Sequence, residues 1–386
     1  MGTGSKTRTT VISGIILSWG VILRWTGYAI AQEPTGPFPL PALASEPNSI
    51  LIAAPQNLNP GLYQPPPIPE VAPVNEPENE IPPPDSEASD EPSASAILWE
   101  DLELDISDSF SNFGQANRLV TPTLRGQLPN GNTVSVAPGF NRFAQTDLET
   151  VYHVPLTVGW QGQLDEVSLK VGGGLDFFNR LPVAAHFDAK ASIPIGPGAT
   201  LSMTVEQGPY LFNAETLENQ ISAWRYGPDL YWQIDPHTSF FSLLRLGHYS
   251  DGNWEQQSFS RLERRLGDEA ALSLNVFNWH FQQDLEQSSG YFSPPDFLVA
   301  TAELTWQKEI VEELSCGLSG SLGQQRLEGD WTLAYNYQAL CTVDITPSLQ
   351  ADLGYRFSNV SHGQSGLAGE SAYNNRQILA GVRSQF

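Results

Sequence analysis

Two cysteines, Cys316 and Cys341, six histidines and two adjacent carboxylate pairs, Glu312/Glu313 and Asp268/Glu269, are the side chains of this sequence whose chemistry could reach beyond packing. Paired carboxylates can hydrolyse a glycosidic bond, but these pairs flank turn-like sequence, where solvated surface charge is the ordinary reading. His153, His186, His237, His248, His280 and His362 are dispersed. None stands in a metal-ligand spacing or beside a serine elbow, so no catalytic residue, metal site or cofactor is assigned. The triple glycine at 172–174 lies inside a strand-like run and lacks the strand-to-helix context of a phosphate loop; curvature or close packing accounts for it.

The cysteines belong to a hairpin. Leu314, Cys316 and Leu318 alternate with Ser315, Gly317, Ser319 and Ser321, and Trp331, Leu333, Tyr335, Tyr337, Cys341 and Val343 share one face of the partner segment. A turn at Glu328 and Gly329 pairs Leu318 with Ala339 and Cys316 with Cys341. Facing cysteines in an oxidising compartment can form a cross-strand disulfide; two free thiols packed side by side are the alternative. The apolar faces suit lipid, although the same alternation could serve the core of a soluble sandwich.

Fifteen such segments, from 99–108 and 117–125, through 144–160, to 348–358 and 375–386, fill about the last three quarters of the chain. Single-chain bacterial barrels almost always have an even strand number, so 14 or 16 strands are expected. Short links, "QLDE", "IGPG" and "DITP", belong on the periplasmic side; the longer "GPYLFNAETLEN", "EQSSGYFSPPD" and "SHGQSGLAGESAYN" belong outside. The fold class that follows is all-β: a single-chain, antiparallel outer-membrane β-barrel over residues 96–386.

The beginning of the chain reads differently. Residues 1–31 carry Lys6 and Arg8, an apolar run interrupted by Arg24, and small residues at Ala29 and Ala31, the pattern of an export signal cleaved after Ala31. Residues 32–95 are crowded with proline and acid, and no Lys or Arg occurs between Arg24 and Arg118. Such a stretch should be a disordered tether with polyproline character, placed in the periplasm of a Gram-negative-type bacterium. The formal charge of −24 excludes nucleic acid as a partner, since counterion release needs clustered Lys and Arg. Acid in the strand region also predicts a lumen that favours cations or neutral solutes over anions.

The run "RYGPDLYWQIDPHTSFFSLLRLGHYSDGN", then "GYFSPPDFLVATAELTWQ", then "AYNNRQILAGVRSQF" resembles the C-terminal barrel of the exopolysaccharide export porins, the cellulose-synthase outer-membrane subunit and the poly-N-acetylglucosamine exporter. The resemblance implies a 16-stranded channel for a nascent polysaccharide. On the matching positions it makes Tyr249, Asp251 and Asn253, Tyr291 and Phe292, and Asn375 and Arg376 lumen or rim contacts for sugar, although tyrosine and asparagine are common at barrel rims without a ligand. The terminal Phe386, with Val382, Ala380 and Ile378 on its face, resembles the signal read by the barrel-assembly machinery. Those exporters carry tetratricopeptide repeats before the barrel, whereas no 34-residue helical period occurs here, so a separate periplasmic scaffold or cell-wall component would take that place. The expected function is passive export of a neutral or cationic exopolysaccharide without catalysis. General or structural barrels and outer-membrane hydrolases are the rivals.

Overall fold

A computed structural model describes residues 97–111, 114–360 and 374–386. The export signal, the proline-rich tether and most of the link 361–374 lie outside the described residues. Seventeen strand segments form one sheet, each antiparallel to its neighbours, and β1 (Leu98–Ser111) pairs with both β2 (Ala116–Gln127) and β17 (Asn375–Gln385), which closes the wall. Closure removes every sheet edge, the condition a β-structure must meet to cross hydrocarbon.

The wall has sixteen staves, because β3 (Thr133–Pro138) and β4 (Phe140–Ala144) lie end to end between β2 and β5 (Val151–Leu164). This is the stave missing from the fifteen segments visible in sequence. Pro138 has no amide hydrogen for the ladder. At Gly139 a Cβ would come 2.6 Å from Pro155 Cγ, so only glycine fits the break. The interruption disguises one strand as a proline-glycine turn between two short ones.

The remaining strands follow in order. They are β6 (Val167–Phe178), β7 (Ala184–Gly196), β8 (Ala199–Pro209), β9 (Ser222–Asp235), β10 (Thr238–Tyr249), β11 (Trp254–Arg265), β12 (Ala270–Phe281), β13 (Phe297–Val311), β14 (Leu314–Leu327), β15 (Asp330–Thr346) and β16 (Leu349–Ser358). Each neighbours its predecessor, so the chain runs up and down around the wall. The "QLDE", "IGPG" and "DITP" turns share one end with both chain termini of the barrel, and the links 210–221 and 282–296 share the other.

Period-two alternation decides what each face carries. On β5, Tyr152, Val154, Leu156 and Val158 point outward while His153 and Thr157 are buried on the inner face. The same outward alternation exposes Leu175, Met203, Leu274, Leu304, Leu322 and Leu353. Trp224, Trp254 and Trp331 flank this band at the end with long links, and Trp99 and Trp232 at the other. An apolar band between aromatic girdles is the outer surface of a lipid-embedded barrel. No helix among the described residues is long and apolar enough to cross a membrane.

The hairpin β14–β15 has the register read from its sequence: Leu318 opposes Ala339, Cys316 opposes Cys341, and the turn lies at Glu328 and Gly329 with φ of 50° and 98°. The two sulfurs are bonded across a Cα separation of 4.1 Å, on the outward face with Leu318 and Tyr337.

Candidate functional site

Inside the wall the inward-facing residues are charged and paired. Arg125 binds Asp101 at 2.8 Å and also Glu103, and Arg383 bridges Glu103 at 3.1 Å and Asp352 at 2.9 Å. Arg245 and Lys190 share Asp229, while Arg261 holds Glu263 and Glu303. These pairs join residues of one strand, of adjacent strands or of strands two apart, and alternation places the partners on one face. They cancel most of the fixed charge locally. The acid excess of the chain is therefore reduced on the inner face but not removed, since the six carboxylates named stand against five cations.

Towards the long-link end, charge gives way to aromatic packing. Tyr210, Phe212 and Ile221 from the 210–221 link, Tyr291 and Phe292 from the 282–296 link, and Tyr249, Phe277, Trp279, Phe281 and Phe297 from the wall form one buried cluster. Tyr249 and Tyr291 stack at 5.1 Å, and the Tyr210 ring stands edge-on to both. Glu255 joins this cluster to the charged lumen. Its wholly buried carboxylate accepts hydrogen bonds from Arg225 Nε at 2.9 Å, Tyr249 Oη at 2.8 Å and Trp279 Nε1 at 2.7 Å. A buried carboxylate held by an arginine and two neutral donors has its lone pairs satisfied, the condition for tolerating charge away from water.

The 210–221 link is a strap across the lumen. While Tyr210 and Phe212 pack against the β10–β13 side, Leu211, Ala214 and Leu217 pack with Phe143 of β4 and Val151 of β5. Asn117 of β2, on nearly the opposite wall from β10, donates from Nδ2 to the Phe212 carbonyl at 3.4 Å. A short helix, Ala214–Glu218, occupies the crossing; its N-cap Asn213 accepts from the Thr216 amide at 2.8 Å and donates to the Gly290 carbonyl at 2.6 Å. Arg180, in the β6–β7 link, holds Glu218 at the far end.

Beneath the strap on the β5–β7 side, dispersed histidines meet. Asn141 Nδ2 donates to His153 Nδ1 at 3.0 Å, and His153 Nε2 donates to Asp176 at 2.7 Å. His186 Nδ1 donates to the other Asp176 oxygen at 2.9 Å, and its Nε2 accepts from Thr157 at 2.9 Å. Every ring nitrogen has a hydrogen-bond partner, while Asn141 Oδ1 is buried without one.

Of the residues expected to contact sugar, five come together. Asn253 Nδ2 donates to Tyr291 Oη at 3.1 Å, which donates to Asp251 at 2.9 Å, beside Tyr249 and Phe292. Tyr249, Asn253 and Tyr291 are 0% exposed, so in this conformation they hold the two links rather than face a polymer. Asn375 is buried at the start of β17, and Arg376 beside it points outward, since Gln377 reaches inward to Ser107 at 2.6 Å. Of the two expected places, lumen or rim, alternation puts Arg376 on the outer side of the rim. Glu255, Arg225 and the strap were not singled out from sequence; the signal for the strap was the apolar run Tyr210–Phe212 inside an external link.

The inner face from β15 through β17 to β1 carries polar side chains. There Gln338, Gln377 and Ser107 face inward with Arg356, which has no carboxylate partner among the described residues and whose Nε is buried without a hydrogen bond.

A closed sixteen-stave wall, apolar outside and polar within, with a strap folded into one mouth, defines an outer-membrane β-barrel of the channel-forming architecture. Compared by sequence, the chain matches no described protein family and no curated protein. Compared by structure, it is similar to a bacterial polysaccharide outer membrane secretin, with a TM-score of 0.59 and 10% identity over 74% of this chain and 98% of that one. CdiB from Acinetobacter baumannii has a TM-score of 0.45 at 10% identity, covering 74% of this chain and 60% of its own. OccD3 from Pseudomonas aeruginosa has 0.43 at 10% identity, covering 75% and 92%. At such identities the likeness is one of fold.

Proposed function

We propose that this protein is an outer-membrane channel through which a neutral or weakly cationic polysaccharide passes without chemical change. The observation that carries the reading is the lumen itself: Arg125, Arg225, Arg245, Arg261 and Arg383 are each held by at least one carboxylate, so the wall lacks the unbalanced positive field that would draw an anionic polymer. On the inner face from β15 through β17 to β1, Gln338, Gln377, Ser107 and Arg356 offer amide, hydroxyl and guanidinium donors to sugar hydroxyls. The polysaccharide outer membrane secretin of similar fold supports this cargo, as does the resemblance of the β9–β13 and β17 sequences to exopolysaccharide export porins. Synthesis behind the polymer would drive it, with a separate periplasmic component acting through the N-terminal segment, and β17 ending in Phe386 would present the chain to the barrel-assembly machinery.

The test is the current through single channels of the full chain in a planar bilayer, with neutral and amino-sugar oligomers added to one side. The reading expects reversible, concentration-dependent block by both and little by uronic-acid oligomers. Current indifferent to every oligomer would leave a channel for small solutes instead.

A further inference from the structure

The strongest unabsorbed feature lies outside the wall. At the long-link end, Arg118 of β2 and Arg142 of β4 are direct cross-strand partners on the outward face, and Arg376 of β17 points outward one row nearer the rim, opposite Phe110 of β1. The facing is fixed by their neighbours. Asn117, Asn141 and Phe143 are buried inward, whereas Phe110, Phe140, Tyr152 and Ile378 are exposed on the outer surface with the arginines.

Like charges directly opposite one another in a sheet repel. Among the described residues only Asp108 answers them, binding Arg118 through two bonds of 2.6 and 2.8 Å. Arg142 and Arg376 have no ion pair among the described residues, so three guanidiniums stand against one carboxylate on a chain of formal charge −24. On another side of the same end the outward Arg326 is neutralised by Asp296 at 2.7 Å and lies over the Trp331 ring, so an unbalanced basic cluster is not a general property of this rim. The position is also specific: the arginines sit among Phe110, Phe140 and Tyr152, at the aromatic level where lipid headgroups meet the barrel. From β17 to β4 is three strand spacings, roughly 14 Å, wide enough for a headgroup with more than one phosphate.

We infer that this outward patch of Arg118, Arg142 and Arg376 binds the phosphorylated headgroup of a lipid in the surrounding leaflet. Arginine meets phosphate through paired donors, and the anion offsets the repulsion between Arg118 and Arg142. The flanking aromatic side chains would rest against the acyl and sugar portions of the same lipid.

The full chain in detergent, incubated with diphosphoryl lipid A and measured by native mass spectrometry, tests the inference. The triple variant R118Q/R142Q/R376Q should need at least about tenfold more lipid for equal occupancy, as loss of several charge-assisted hydrogen bonds requires. R326Q should bind as the unaltered protein does. If the triple variant does not reach the heat-modifiable folded form, R142Q alone, which breaks no existing ion pair, should still weaken retention measurably. Equal retention by the folded variants, equal retention of dephosphorylated lipid A, or displacement of the lipid by inorganic pyrophosphate at matched concentration would each overturn the lipid site.

Discussion

Glu255 shows how much of the mouth depends on single side chains. Its carboxylate receives Arg225, Tyr249 and Trp279, so Glu255→Gln removes the charge that compensates a buried guanidinium and turns an amide group towards donors. Breaking a buried, hydrogen-bonded pair from one side costs about 3–5 kcal/mol. The urea concentration at which the folded gel species disappears should fall accordingly; an unchanged midpoint would remove Glu255 from the anchoring role. Glu286, in the outer link 282–296, offers a different test. Burial, together with Asp284, Glu215 and Glu328 nearby, raises its pKa from 4.5 to about 7. A raised acid pKa favours the docked link when protonated, so that contribution is complete below about pH 4.5 and is lost as pH rises through about 7. Protease cleavage within 282–296 should therefore be faster at pH 8 than at pH 5, and Glu286→Gln should flatten the difference. Identical pH dependence in the variant would contradict this.

Among the elements, the β14–β15 hairpin was the most legible in sequence. Its strict alternation and its Glu328–Gly329 turn fix which residues oppose which, and cross-strand pairing then places Cys316 against Cys341. Replacing both cysteines with serine should leave the barrel closed, because the ladder on each side persists, while lowering stability by on the order of 3 kcal/mol from the released loop constraint. Differential scanning calorimetry of the folded barrel would register this as a lower unfolding temperature; a barrel that failed to close would show the bond to be required for assembly. The β3–β4 stave was illegible for the opposite reason. Pro138 and Gly139 carry turn chemistry, and only pairing with both β2 and β5 shows that the two pieces make one stave. The site was less legible than the wall. Tyr249, Asn253 and Tyr291 are brought together, yet their burial depends on how the links fold inward, which no strand periodicity encodes.

For the whole molecule, the sequence-wide acid excess and the lumen charge are separate quantities. Net charge sums all side chains, whereas a permeating solute meets only the inward face, where pairing cancels most of it. Alternation also separates two kinds of arginine: Arg125, Arg225, Arg245, Arg261 and Arg383 face inward and are held by carboxylates, whereas Arg142 and Arg376 on one outer rim have no ion pair among the described residues. Two of the histidines follow the same logic, since His153 and His186, distant in sequence, meet at Asp176 when β5, β6 and β7 align. The central claim is a continuous wetted lumen narrowed by the strap. It is tested most directly by comparing the single-channel conductance of the full chain with that of a variant whose residues 211–219 are replaced by a short glycine-serine linker. The account predicts a small, steady conductance in the unaltered protein and a several-fold larger one in the variant; equal conductance in both, or no current in either, would contradict it.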